Sequence, residues 1–192
     1  HKGNPAGQRL TANRTIESFY KWSGGGRIPI FCDTTSCTHT LLFETGGDIL
    51  TPENREKYKQ LKIMDITQWL KEVVLPRIKV IRPKNRILLH PTCSCQIMGL
   101  TPVLLDIARK CAREVILPDN WGCCGASGDR GFIFPELSDS ATRDERDEIG
   151  HESFDGCYSL ARTCEIAMQD HIEQPYESIV YLVDETIQDQ GT

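Results

Sequence analysis

The chain reads as an α/β protein with mostly parallel sheets flanked by helices, and three observations carry that reading. Short apolar runs with strand character alternate with longer stretches of helical spacing. Two of those runs end at or just before a cysteine, as ligand-bearing residues do at the carboxyl ends of parallel strands. The 192 residues, 39% hydrophobic and 26% charged, suffice for a sizeable core, as one large domain or two small ones.

In chain order, residues 6–22 carry a helical pattern that the Gly24-Gly25-Gly26 run ends. Ile28 to Cys32 is a short strand, and a turn at Asp33-Thr34-Thr35-Ser36 leads to a helix opening near Cys37. Residues 53–60 are polar, either a helix or a solvated excursion. Ile66, Trp69, Leu70 and Val73 fall at helical spacing. Residues 86–89 form a strand running into His90-Pro91-Thr92-Cys93, residues 103–112 an amphipathic helix, and residues 114–117 another strand. The acidic, arginine-laced stretch 138–148 reads as the exposed face of a helix.

A net charge of −5 argues against non-specific nucleic-acid binding, which needs a basic surface. No apolar run approaches the ~18 residues of a membrane span. The chain opens at His1-Lys2-Gly3 without an initiator Met or a signal peptide, and is expected to be part of a longer polypeptide.

Nine cysteines stand out because they are grouped. An odd count in a chain this long points to a reducing compartment and a bound metal rather than a disulfide framework. Cys123-Cys124-Gly125 is the sharpest group: adjacent cysteines do not readily bridge each other, but can face one centre if the chain turns at the glycine. Cys93 precedes Cys123 by a gap of 29 residues, and Cys164 follows Cys124 by a gap of 39. Such gaps suit loops of an α/β unit converging at one end of a sheet. Thr163-Cys164-Glu165-Ile166 resembles a cap followed by a helix, which would lower the thiol pKa of Cys164. The small residues around Gly125 leave room for backbone amides near sulfur. Thiolate suits iron–sulfur clusters and zinc alike.

Anchored on cysteines, the chain shows a weak internal repeat. Lys2-Gly3 precedes a helix containing Ala12-Asn13-Arg14, and Cys37 follows Gly3 by 34 residues. Arg130-Gly131 precedes a helix containing Ala141-Thr142-Arg143, and Cys164 follows Gly131 by 33. Apolar helix-like segments follow each cysteine, at residues 63–66 and 178–181. The repeat divides the chain into residues 1–80, the C-terminal half of a first copy, and 81–192, a complete second copy. Cys123 lies eight residues before Gly131, so a second Cys-Cys-Gly is expected upstream of His1.

This pattern resembles the cysteine-rich CCG domain of iron–sulfur oxidoreductases, a family that includes the B subunit of heterodisulfide reductase and the iron–sulfur subunit of glycolate oxidase. The run from Trp121 through Cys123-Cys124-Gly125 to Phe132, then Pro135-Glu136-Leu137, is similar to the C-terminal part of FAD-linked D-lactate dehydrogenases that carry iron–sulfur clusters. So are Asp155-Gly156-Cys157-Tyr158-Ser159 and Arg162-Thr163-Cys164-Glu165-Ile166, and Asp33-Thr34-Thr35-Ser36-Cys37-Thr38 resembles the end of that family's first copy. The resemblance implies Cys93, Cys123, Cys124 and Cys164 as ligands of a cluster of 4Fe-4S type, with Gly125 at the turn and Cys37 serving the first copy. It implies an upstream FAD domain and a ferredoxin-type domain as partners in one parent protein. Electrons would pass from flavin toward a quinone or other acceptor, in the cytoplasm or at the inner face of the membrane. Cys164 departs from the family's Cys-x-x-C ending, since Ala161 and Ala167 flank it at that spacing, and Cys95 is the nearest spare thiol for a fifth ligand.

No G-x-G-x-x-G fingerprint occurs, so the chain alone should lack dehydrogenase activity. The competing reading is a zinc-binding structural or docking module with no redox role. Thiol redox chemistry at Cys123-Cys124 ranks behind both. Cys111 and Cys32 read as core residues, Cys157 as packing or a neighbour of the ligands, and His90 as a candidate to touch the centre beside Cys93.

Overall fold

Asn4 and Pro5 start the first helix: Pro5 fixes its own φ at a helical value, and the Gly7 amide donates to Asn4 Oδ1 at 2.9 Å. The computed structural model describes residues 3–187, in two compact units. One is built from the described residues of His1–Cys32 and Cys37–Ile66, the other from those of Asp33–Ser36 and Thr67–Thr192. Lys2, with which the first copy of the repeat was to open, lies outside the described residues.

In the first unit, α1 (Pro5–Trp22) ends where Gly24, Gly25 and Gly26 all take positive φ. β1 (Ile30–Cys32) follows; of α2 (Thr35–His39), residues 37–39 belong to this unit and run on into a π-type turn at Thr40–Glu44. α3 (Pro52–Gln60) is capped by Thr51, whose hydroxyl accepts from the Asn54 amide at 3.3 Å. The buried Asn54 amide ties α3 to α1 through Asn13 Oδ1 at 2.9 Å and Glu17 Oε1 at 3.0 Å. β2 (Ile63–Asp65) pairs parallel with β1, Ile30 opposite Ile63 and Cys32 opposite Asp65. Residues 53–60 are thus helix.

α4 (Ile66–Trp69) covers only the first turn of the helix expected at residues 66–74. A π-type turn at Leu70–Val74 and a 3₁₀ turn at Leu75–Arg77 complete it, with Pro76 in the latter.

The second unit holds β3 (Lys84–Leu89), α5 (Cys93–Ile97), α6 (Thr101–Cys111) and β4 (Ala112–Ile116). α7 (Arg130–Ile133), α8 (Pro135–Ile149), β5 (Gly156–Ser159), α9 (Arg162–Ile172), β6 (Tyr176–Ser178) and α10 (Ile179–Thr186) follow. The four strands form one parallel sheet in the order β4-β3-β5-β6. Ile87, Leu88 and Leu89 are all fully buried, as expected of a central strand covered on both faces. α6 buries Leu104, Ile107, Ala108 and Cys111, the i, i+3, i+4, i+7 stripe of a core-facing helix.

Strand order carries the functional consequence. From β3 the chain steps outward to β4, then returns across β3 to lay down β5 and β6 on the other side. The order reverses between β3 and β5, and it is beyond the carboxyl ends of strands at such a reversal that ligands gather in doubly wound folds.

Two expectations change. Residues 63–66 and 178–181 are strand-to-helix junctions, β2 into α4 and β6 into α10, rather than helical segments. Ser178 ends its strand by capping α10, accepting from the Val180 amide at 3.4 Å. The helix over 138–148 is not simply exposed either: α8 buries Ser138, Thr142, Glu145 and Ile149 on one stripe, and Glu145 is 1% exposed. The order helix, strand, helix, strand, helix occurs in α1-β1-α2-β2-α4, with α3 inserted, and again in α8-β5-α9-β6-α10. Cys37 is the third residue of α2, and Cys164 the third of α9. Among the described residues no helix is long and apolar enough to cross a membrane.

Candidate metal centre

Three parallel strands each deliver cysteine at their carboxyl ends. β3 runs into His90, Pro91 and Thr92, whose hydroxyl accepts from the Cys95 amide at 3.2 Å and so caps α5 with Cys93 at its first position. β4 runs into a segment without regular structure that carries Cys123 and Cys124 before α7 begins. β5 runs into Leu160 and Ala161, and α9 then presents Cys164 in its first turn. α9 begins at Arg162, two residues before the expected start. Its N-cap is Ala161, with no side-chain cap, so Thr163 is a helical residue rather than a cap.

The four thiols meet. Cys124 Sγ–H donates to Cys164 Sγ at 2.9 Å, and both residues are buried in a cluster with Leu88, Ala126, Cys157 and Met168. Cys93 and Cys123 complete the group on its exposed side, Cys123 bonded to both Cys93 and Cys124. The Cys123 thiol is driven far down, first because the Cys124 thiol donates to its sulfur, then because Cys93 does. Cys124 and Cys93 are pushed up, each first because it donates to Cys123, with burial adding to the effect. Cys123 is thus the acceptor of the group, the sulfur on which its neighbours' hydrogen bonds favour negative charge. A cation would take over that role and release their protons.

Gly125 makes the turn possible. Its φ is +73°, and a Cβ would stand 2.6 Å from both the Leu137 carbonyl oxygen and Ser138 Cα on α8. Its amide reaches Cys123 Sγ at 3.4 Å. Glu148 of α8 holds the start of the segment, accepting from the Asp119 and Asn120 amides at 2.7 and 2.8 Å. Those two donors, Asn120 first, hold its carboxyl below the ordinary value. A depressed carboxylate stabilises the fold above its unfolded pKa, and that contribution is lost as pH falls through the folded pKa. Glu148→Gln is therefore expected to lower the urea midpoint by a few tenths molar at pH 7, the two proteins converging as pH falls through the folded carboxyl's pKa.

Other candidates lie elsewhere. Cys95, two residues beyond Cys93, points to the opposite side of α5, fully buried, its sulfur 4.0 Å from Thr101 Oγ1. Cys111 is fully buried at the end of α6, and burial pushes its thiol up. Cys157 is packed in the core, its thiol pushed up to about 12 by burial. Cys37 is exposed and belongs to the first unit, and Cys32 is half-buried at the end of β1.

Glu145 is the addition, as the partner of His90. His90 is 1% exposed, its Nδ1–H donating to Glu145 Oε2 at 2.9 Å and Oε1 at 3.2 Å. Glu145 was hidden in an acidic run. The signal for it was the 138, 142, 145, 149 spacing, which sets one carboxylate on the buried stripe.

As a donor set, clustered thiols beside a buried imidazole suit iron or zinc. Their spacing is that of thiols in mutual contact: two thiolates on one tetrahedral zinc stand ~3.8 Å apart, wider than the 2.9 Å between Cys124 and Cys164. Among the described residues no group of three or more His, Cys, Asp or Glu side chains is set at ligand geometry around one point. Compared with known proteins, the chain matches no family model and no curated protein.

Proposed function

We propose that this chain is an iron–sulfur electron-transfer domain of the CCG type, part of an FAD-dependent D-lactate or related 2-hydroxy-acid dehydrogenase. The observation that carries the reading is the meeting of Cys93, Cys123, Cys124 and Cys164 beyond the carboxyl ends of β3, β4 and β5. Those four thiols would hold the cluster, which supplies one-electron transfer when bound. Gly125 keeps Cys123 and Cys124 on one tight turn, and the core around Cys124 and Cys164 keeps water from that side. Cys93 and Cys123, both exposed, leave an edge for electron exchange with a partner domain.

The matched element order of α1-β1-α2-β2-α4 and α8-β5-α9-β6-α10 supports two copies of one unit, residues 1–80 and 81–192, with Cys37 the counterpart of Cys164. In the parent protein, electrons would arrive from the flavin domain, through a ferredoxin-type domain, and leave toward a quinone or other acceptor. Its place would be the cytoplasm or the inner face of the membrane.

Anaerobic purification followed by visible absorption tests the reading. A brown protein carrying iron and acid-labile sulfide is the expected result. A colourless chain that retains zinc would instead identify a structural or docking module, and a chain without bound metal would overturn both.

A further inference from the structure

We propose that His90 is a fifth protein donor to the thiol centre, presenting Nε2 to the metal while Glu145 holds the other side of its ring. The inference rests on the metal-binding reading above and extends its ligand set from sulfur alone to sulfur and nitrogen.

The reason is an unexplained polar atom. Nε2 of His90 is buried and has no hydrogen-bond partner. Leaving such an atom unsatisfied costs about 1–3 kcal/mol, and native interiors rarely tolerate it without a bound group. The ring is also fixed in place. Its backbone amide donates to the Tyr158 carbonyl at 3.0 Å, and its carbonyl accepts from Ser159 Oγ at 2.8 Å. Tyr176 packs edge-on against it, with ring centroids 6.5 Å apart. A carboxylate can only accept, so the Glu145 contact puts the proton on Nδ1 and leaves the Nε2 lone pair available. Carboxylate behind imidazole is the arrangement that orients histidine ligands and raises their basicity.

Position agrees with role. His90 follows β3 directly, at the strand-order reversal, three residues before Cys93. Its ring lies within electrostatic reach of the Cys123 sulfur. Five donors are one more than tetrahedral zinc takes.

The test is X-ray absorption at the iron edge of anaerobically loaded protein, with metal content measured on the same sample. We expect a sulfur shell together with the outer-shell scattering of one imidazole. His90→Gln should lose the imidazole scattering and keep the sulfur shell. A loaded wild-type centre with sulfur scattering only overturns the assignment of His90 while leaving the metal centre standing, whether or not the variant folds. A chain that takes up no iron overturns the metal-binding reading itself, and His90 ligation with it.

Discussion

Gly125→Ala is expected to destabilise the second unit by about 3 kcal/mol, combining the left-handed backbone penalty of a non-glycine residue with an overpacking term. The atoms that a Cβ would meet, the Leu137 carbonyl and Ser138 Cα, belong to the backbone of α8 and have no rotamer to yield. Relief would require the Cys123-Cys124 turn to move away from α8, parting the Cys124 and Cys164 sulfurs. Gly122→Ala is the control. It lies three residues earlier in the same segment, takes no positive φ and has open space where its Cβ would go, so a change within about 0.5 kcal/mol is expected. Urea midpoints of the two variants decide the matter. Equal midpoints would mean that the turn does not depend on glycine.

Glu145→Ala carries an effect of similar size for a different reason. His90 and Glu145 are both essentially excluded from water, and removing one member of such a pair strands the other. Losses of about 3–5 kcal/mol are typical, which for a unit of this size lowers Tm by roughly 6–20 °C. Glu145→Gln keeps a carbonyl oxygen able to accept from Nδ1 and should recover most of the loss. If Glu145→Ala melts with the wild type, the ring is held by its backbone and by Tyr176 alone.

Much of this architecture was legible in the residues, and the gaps have physical causes. Alternation of short apolar runs with helical periods pointed to parallel strands, and His90-Pro91-Thr92-Cys93 after β3 placed a cysteine-bearing segment where the sheet ends. The junctions at residues 63–66 and 178–181 were not legible, because three-residue strands lack a period of their own and their apolar residues merge with the helix that follows. Glu145 was obscured by its company. A run dense in Asp, Glu and Arg describes the solvated face of α8, and only the spacing of Ser138, Thr142 and Ile149 betrays the buried stripe. Cys95 looked available because it is near Cys93 in sequence, yet a two-residue step on a helix carries a side chain to the far side. Convergence of residues 93, 123, 124 and 164 was anticipated by the Cys-Cys-Gly pattern. The strand order that brings them together came only from the fold.

The most direct test is iron and acid-labile sulfide per chain, measured after anaerobic reconstitution of the wild type and five single variants. Cys93→Ser, Cys123→Ser, Cys124→Ser and Cys164→Ser are each expected to lose most of the bound iron, while Cys37→Ser holds the wild-type amount. Iron uptake that survives replacement of both Cys124 and Cys164, or that depends on Cys37 instead, would contradict a centre shared by the four thiols of the second unit.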